Sequence, residues 1–223
     1  MSDQRAAKQR AALEAVNLVQ SGMVLGLGTG STAALVVDEL GRRLKAGTLK
    51  DIIGVPTSQT TREQAVAVGI PVGNLNDHHA IDLTIDGADE VDPSGNLIKG
   101  LGAALLREKM VATASKRLAI VVDESKLVQQ LGTKAPLPVE VVRFAHTTHF
   151  DLMRSLGGEP ALRERHGQPV VTDEGHWIID VRFPTGITTP AELARRLKDH
   201  PGVVETGLFL DLHPQVIVGR VSA

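Results

Sequence analysis

"MVLGLGTGSTAALVVDELGRRLKAG", residues 23–47, runs from a short apolar stretch through a turn of glycines and hydroxyls into a helical pattern. The apolar stretch, residues 23–28, has the length of a buried strand, and the segment from Ser31 repeats its apolar residues at helical spacing. The same alternation follows downstream. "DIIGVPTS" (51–58) precedes "TTREQAVAVG" (60–69), "IDLTIDGAD" (81–89) precedes "AALLREKMVATAS" (103–115), and "RLAIVVDES" (117–125) closes the series. Strand, helix, strand, helix predicts an α/β fold with a doubly wound, mostly parallel sheet covered on both faces. Ligands of such sheets sit beyond the carboxyl ends of the strands. The loops after residues 28, 56, 85 and 122 are therefore expected to converge.

The pattern changes after Lys134. "APLPVEVVRF" (135–144) reads as a strand, "HTTHFDLMRSLGG" (146–158) as a helix, and "PVVTDEGHWIIDVRF" (169–183) as a hairpin across Asp173–Gly175. "TTPAELARRLKDHPG" (188–202) reads as a helix with Pro190 in its first turn, and "VVETGLFL" (203–210) as a strand. The order β-α-β-β-α-β predicts an inserted, ferredoxin-like α+β small domain. "QVIVGRVS" (215–222) is expected to return to the first sheet. The expected division is a Rossmann-like catalytic domain of residues 1–130 plus about 207–223, with a small domain over about 131–206.

Composition excludes several functions. The net charge of −2 gives no electrostatic case for a nucleic-acid partner, and 2% aromatic residues with no Tyr leave no platform for stacking bases. No 18-residue apolar run is present, so no membrane span is expected, and the charged N-terminal helix, read as ending at Gly22, lacks the apolar core of a signal peptide. The lack of Cys excludes disulfides and thiolate chemistry and fits a cytoplasmic protein.

Four segments carry candidate chemistry. From Gly28, "GLGTGSTA" (26–33) spells G-x-G-x-x-A, but the acid that a dinucleotide site needs about 20 residues later is replaced by Pro56, Thr57 and Ser58. No Lys follows Gly30, so the phosphate loop of nucleotide hydrolases is excluded as well. Thr29, Gly30, Ser31 and Thr32 then suit one phosphate at a helix N-terminus, the plain alternative being a tight turn with Ser31 as cap. "IDGADEVD" (85–92) gathers Asp86, Asp89, Glu90 and Asp92 without a cation. Calcium of the EF-hand kind is excluded by Thr84 and Pro93; a carboxylate-bridged metal pair, a sugar-hydroxyl site at Asp86 and Asp89, and a solvated turn stay open. Glu90 and Asp92 are expected to face solvent. "LIKGLGAALLREK" (97–109) sets Lys99 in a glycine loop and Glu108 one to two turns into the next helix, where a carboxylate is placed to be a general base. Taken alone, Glu108 also reads as an ordinary surface residue beside Arg107 and Lys109. Lys126 follows the strand "LAIVVD" as a further cation, while His146 and His149 lack the carboxylate partner of a metal site.

In order and at compatible spacings, "GLGTGSTA", "PTSQTT", "DGADEVD", "KGLGAALLREK", "DESK" and "PLPVEV" resemble ribose-5-phosphate isomerase of the A type. The resemblance implies an aldose–ketose isomerase that interconverts D-ribose 5-phosphate and D-ribulose 5-phosphate in the pentose phosphate pathway, with no cofactor and no metal. It implies Glu108 as proton acceptor and substrate contacts at Thr29–Thr32, Asp86, Gly87, Ala88, Asp89, Lys99, Gly100, Leu101, Gly102 and Lys126. Lys8 falls where a phosphate-facing lysine is expected, and the family's habit is a homodimer or homotetramer. One departure stands out. The family pattern has glycine at position 101, where this chain has Leu101, whose side chain limits how closely the loop approaches a sugar. Two other classes fit related folds: a sugar-phosphate-binding regulatory module, which would need a DNA-reading segment, and a CoA transferase using a glutamate as nucleophile.

Overall fold

A computed structural model of the chain describes residues 2–220, with side chains from Gln4 onward. In chain order the elements are α1 (Ser2–Val16), β1 (Val24–Leu27), α2 (Ser31–Lys45), β2 (Ile53–Pro56), α3 (Gln59–Ala67), β3 (Leu83–Asp86), β4 (Glu90–Val91), β5 (Leu97–Ile98), α4 (Leu105–Thr113) and β6 (Leu118–Asp123). They continue with β7 (Leu137–Val141), α5 (Thr148–Ser155), β8 (Glu159–Leu162), β9 (Glu164–Arg165), β10 (Gln168–Pro169), β11 (Trp177–Arg182), α6 (Pro190–Lys198), β12 (Val203–Thr206), β13 (Leu208–Phe209) and β14 (Gln215–Gly219). Two compact units result. The first takes in the chain up to Ala88, Arg107–Lys126 and the chain from Leu212; the second takes in Asp89–Leu106 and Leu127–Asp211.

The first unit is built on a parallel sheet of order β14-β6-β3-β1-β2. Counted along the chain this is the 2-1-3-4-5 doubly wound order, whose direction reverses between β1 and β3. Leu25 and Leu27 of β1 pack with Val36, Val37 and Leu40 of α2 and with an alanine-lined stripe of α1 (Ala11, Ala12, Ala15). Val55, Ile81 and Val111 of α4 form a separate cluster with Val24, whose side chain projects opposite Leu25. Each fully buried Val, Leu or Ile is worth about 1.5–3 kcal/mol. β14 returns to pair with β6 over five residues, Gln215↔Ala119 to Gly219↔Asp123. Helix α1 stops at Val16, short of the Gly22 expected, because residues 17–19 tighten into i→i−3 bonds.

The second unit contains an antiparallel sheet of order β12-β7-β11-β8, with α5 after β7 and α6 after β11. This is the split β-α-β unit expected from the sequence. Pro190 starts α6, whose Leu193 and Leu197 are buried and whose last turn carries Arg195, Arg196 and Lys198. The hairpin is corrected. The strand that pairs with β11 on the side away from β7 is β8, "EPAL", and the segment 169–173 supplies only the end of β10 and a single bridge, Val171↔Trp177. Charged residues and Pro160 hid β8 in the sequence, and Pro160 is accommodated because β8 is an edge strand. Residues 89–106 and 207–211, read with the first domain in the sequence, group with this unit: β4, β5 and β13 form their own antiparallel sheet. No described helix is long and apolar enough to cross a membrane.

Candidate active site

In the first unit the chain leaves β1 at the point where the strand order reverses. Gly26 and Gly28 are dictated by contact: a Cβ on Gly26 would strike the Thr84 side chain, and one on Gly28 would strike Asp86. Gly28 N donates to the Ile85 carbonyl (3.0 Å), which lays the turn alongside the end of β3. There Asp86, 2% exposed, accepts at Oδ1 from the backbone amides of Thr29 (3.1 Å) and Gly87 (2.7 Å). The Thr29 hydroxyl faces a cluster of hydroxyls on the next loop, Thr57 (2.7 Å), Ser58 (2.8 Å) and Thr61 (3.2 Å). Thr61 in turn donates to the Gly28 carbonyl (2.9 Å), Thr57 donates to the Leu27 carbonyl (3.0 Å), and Ser58 caps α3 by accepting from Thr61 N. The "PTSQTT" segment thus holds the glycine turn in place, a role its residue types alone did not disclose.

The cap of α2 is Gly30 (φ 115°, ψ 175°), not Ser31, so the capping alternative for Ser31 falls. Ser31 is exposed at the first helical position, where the opening amides have no i−4 carbonyl to bond. Lys8 of α1 donates to the Ser31 hydroxyl (3.2 Å) and stands 3.9 Å from Asp123 at the end of β6. Burial works against the ionised form of Asp123, but the Ser125 hydroxyl and amide, Gln4 and Lys8 outweigh it and hold its carboxyl below the ordinary carboxylate range. Helix amides, a hydroxyl and a cation around one corner form a cradle for an anion. Lys126 closes a short 3₁₀ turn after β6 and is half-buried. Glu108 lies in the first turn of α4 and is only 4% exposed, which overturns the surface reading of "REK".

In the second unit, β5 delivers Lys99, 3% exposed, into the glycine loop. Its amide donates to the Gly207 carbonyl (2.9 Å), and its ammonium lies 5.6 Å from the ring centroid of Phe209, within range of a cation–π contact. A Cβ on Gly207 would collide with the Lys99 carbonyl, so that position admits only glycine. Asp89 donates its amide to the Ile98 carbonyl (2.8 Å), and its Oδ2 accepts from Leu101 N (3.0 Å). Gly100 is at φ 109° and Ala103 at φ 61°, whereas Leu101 is not in the left-handed region and its side chain is exposed. The Leu101 departure therefore needs no glycine conformation. Glu90, expected in solvent, is 0% exposed: its carboxylate accepts from the amides of Gly132 (2.5 Å), Lys134 (2.6 Å) and Ala135 (2.7 Å). Asp92 is half-buried and organises the β4–β5 turn through Ser94 N and Asn96 N. Among the described residues, no three His, Asp or Glu side chains are grouped as metal ligands. A cleft of about 240 Å³, walled by Ser155, Thr189, Glu192 and Arg196, contains none of the sequence-predicted residues.

The profile of the family described as ribose 5-phosphate isomerase A (phosphoriboisomerase A) matches residues 53–222. The chain belongs to the ribose-5-phosphate isomerase A family. Among curated relatives, the ribose-5-phosphate isomerase A of Gloeobacter violaceus is 53% identical over 95% of this chain and 91% of its own length. That of Thermosynechococcus vestitus is 50% identical over 96% and 91%. Two solved structures agree in fold. A D-ribose-5-phosphate isomerase in complex with phospho-erythronic acid superposes with a TM-score of 0.93 at 42% identity, covering 96% of this chain and 94% of that one. The ribose 5-phosphate isomerase A of Methanocaldococcus jannaschii gives 0.90 at 42% identity over the same shares. The protein is a ribose-5-phosphate isomerase, with a sugar phosphate as its class of substrate.

Within the first unit of the isomerase, Thr29–Thr32 and Asp86–Ala88 lie together at the strand reversal, with Lys8 beside Ser31. Within the second, Asp89, Lys99 and Gly100–Gly102 share one loop system. Lys8 is indicated in the sequence through the resemblance alone, and Asp123 has no signal there beyond the "DESK" string that holds it.

Proposed function

We propose that the isomerase interconverts D-ribose 5-phosphate and D-ribulose 5-phosphate through a cis-enediolate, with Glu108 as the base and without a metal. The observation that carries this reading is a carboxylate withdrawn from water in the first turn of the helix that follows the Lys99 loop. Glu108 takes the proton from C2 of the open-chain aldose, and the C–H electrons form the C1–C2 double bond as charge moves to O1. The proton then returns to C1 as the C2 carbonyl forms. One positioned base is worth about 10²–10⁴-fold in such a transfer. Lys99 and the amides of its loop stabilise the developing oxyanion. Asp86 or Asp89 relays the second proton between O1 and O2. Gly30–Thr32, Ser31 Oγ and Lys8 hold the phosphate, and that remote binding orients the reacting carbons. Lys126 and the amides of Gly87 and Ala88 complete the contacts to the sugar phosphate.

The phospho-erythronic acid bound by the related isomerase supports this reading, since it pairs a phosphate with a carboxylate where an enediolate carries its charge. The expected setting is the non-oxidative pentose phosphate branch in the cytoplasm, as a homodimer or homotetramer that sedimentation would distinguish. Glu108→Gln tests the base: turnover of ribose 5-phosphate falls at least about 10²-fold, while the unfolding transition and inorganic phosphate binding stay unchanged. Near wild-type turnover in that variant would remove Glu108 from the mechanism. Wild-type activity surviving EDTA, with no metal in the purified protein, is the matching expectation for metal-free chemistry.

A further inference from the structure

Arg163 follows β8, and no motif in the sequence drew attention to it. Its backbone amide donates to the Ile178 carbonyl of β11 (2.8 Å), which ties it to a central strand. Its guanidinium forks onto Asp180, Nε to Oδ2 at 2.8 Å and Nη2 to Oδ1, with side chains 12% and 24% exposed. The remaining arm, Nη1, donates to two carbonyls of the glycine loop, Gly100 (2.8 Å) and Leu101 (3.2 Å).

The Gly100 carbonyl and the Leu101 amide belong to one planar peptide. Arg163 therefore holds one edge of the plane whose other edge, Leu101 N–H, is held by Asp89. The Leu101 carbonyl shares the next plane with Gly102 N–H, so the same guanidinium aims that amide in the opposite direction. A cation on the carbonyl side also polarises both peptides and makes their N–H groups stronger donors. The loop needs such restraint. Gly100 and Ala103 both have positive φ, and a non-glycine residue there persists only when its surroundings fix it.

We propose that Arg163, oriented by Asp180, is a positioning residue for the isomerase reaction. It fixes and polarises the loop that presents Lys99 and the Gly102 amide to the developing oxyanion, with the Leu101 amide tied to Asp89. The inference rests on the reading of that loop given above.

The experiment measures kcat and KM on ribose 5-phosphate for Arg163→Met, Arg163→Lys and Lys99→Ala. Arg163→Lys keeps the charge without the fork. Both Arg163 variants are expected to lower kcat about 10–100-fold, the scale of a small misplacement of a catalytic group, with KM within about twofold because phosphate binding is left alone. Since Arg163→Met orphans Asp180, Arg163→Met/Asp180→Leu is the control: it recovers the wild-type unfolding midpoint while kcat stays low. Wild-type kcat in Arg163→Met, or kcat restored in the double variant, overturns the proposal. Lys99→Ala separates the two ideas. If it is inactive while Arg163→Met is normal, the clamp is wrong. If it is active while Arg163→Met is depressed, Lys99 loses its role and the clamp stands, acting through the Gly102 amide.

Discussion

Glu90 sits one residue after Asp89 with its carboxylate out of water and three backbone amides pointing at it. Hydrogen bonds to a charged acceptor are worth more than neutral ones, and a buried amide stripped of its acceptor costs about 1–3 kcal/mol. Glu90→Ala is therefore expected to lower the unfolding free energy by about 3 kcal/mol or more, and Glu90→Gln by about half of that, because its amide group sets a donor against a donor. Urea titration followed by fluorescence of the single Trp177 reads both. A loss under about 1 kcal/mol in the alanine variant would show the three bonds to be incidental. Nothing near Glu90 betrayed this. Its amides come from Gly132–Ala135, over forty residues on, and a two-residue strand is too short to show which face is inside. Asp86 is legible because a strand end fixes where its side chain emerges, whereas Glu108 stands out only through the family resemblance, its "REK" setting being that of a surface residue. Arg163 is not legible in the sequence because the loop it holds, Gly100–Leu101, lies over sixty residues away and is met through backbone carbonyls, which any residue possesses.

At the scale of elements, α5 carries a liability. His149 is 2% exposed, and neither ring nitrogen has a hydrogen-bond partner among the described residues. Burial first, then the nearby His200 and His146, pushes its pKa below the ordinary 6.5. The folded chain thus keeps His149 neutral while the unfolded chain takes up a proton near pH 6.5, so stability present above that pH is lost as the pH falls through it. The urea midpoint of the Trp177 transition is expected to drop between pH 7 and pH 5, and His149→Leu to flatten that slope. An equal slope in the variant would assign the acid sensitivity elsewhere. His146 lies 4.8 Å from the Trp177 ring, so midpoints rather than raw intensities must be compared. The sequence supplied α5 and α6 through their apolar spacing, and every parallel strand through its apolar run. It failed on β8, where an edge position relaxes the demand for alternation that makes other strands legible.

For the whole molecule, chain order and spatial order diverge. The first unit is assembled from three stretches of chain and closes only when β14 arrives to pair with β6. Truncation before Leu212 removes that five-residue ladder and the buried Ile217, and takes away the neighbour strand of Asp123. It is expected to abolish turnover and to lower the melting temperature by at least about 5 °C, measured by calorimetry. Full activity in the truncated chain would contradict the topology. The alternation of strands and helices announced the parallel sheet. The order 2-1-3-4-5 was not written in it, because pairing depends on which loops cross, and no single segment carries that information.

Gly207 gives the fold an unguarded position. It has no side chain, lies about a hundred residues from Lys99 in sequence, and belongs to a short link between β12 and β13. Yet even one methyl group there would push against the Lys99 carbonyl. In a saturation scan scored by growth, position 207 should be as intolerant as a residue that touches the substrate. A designer who grafted new sequence onto this stretch to change surface properties would disable the enzyme without altering any chemical group that takes part in its reaction.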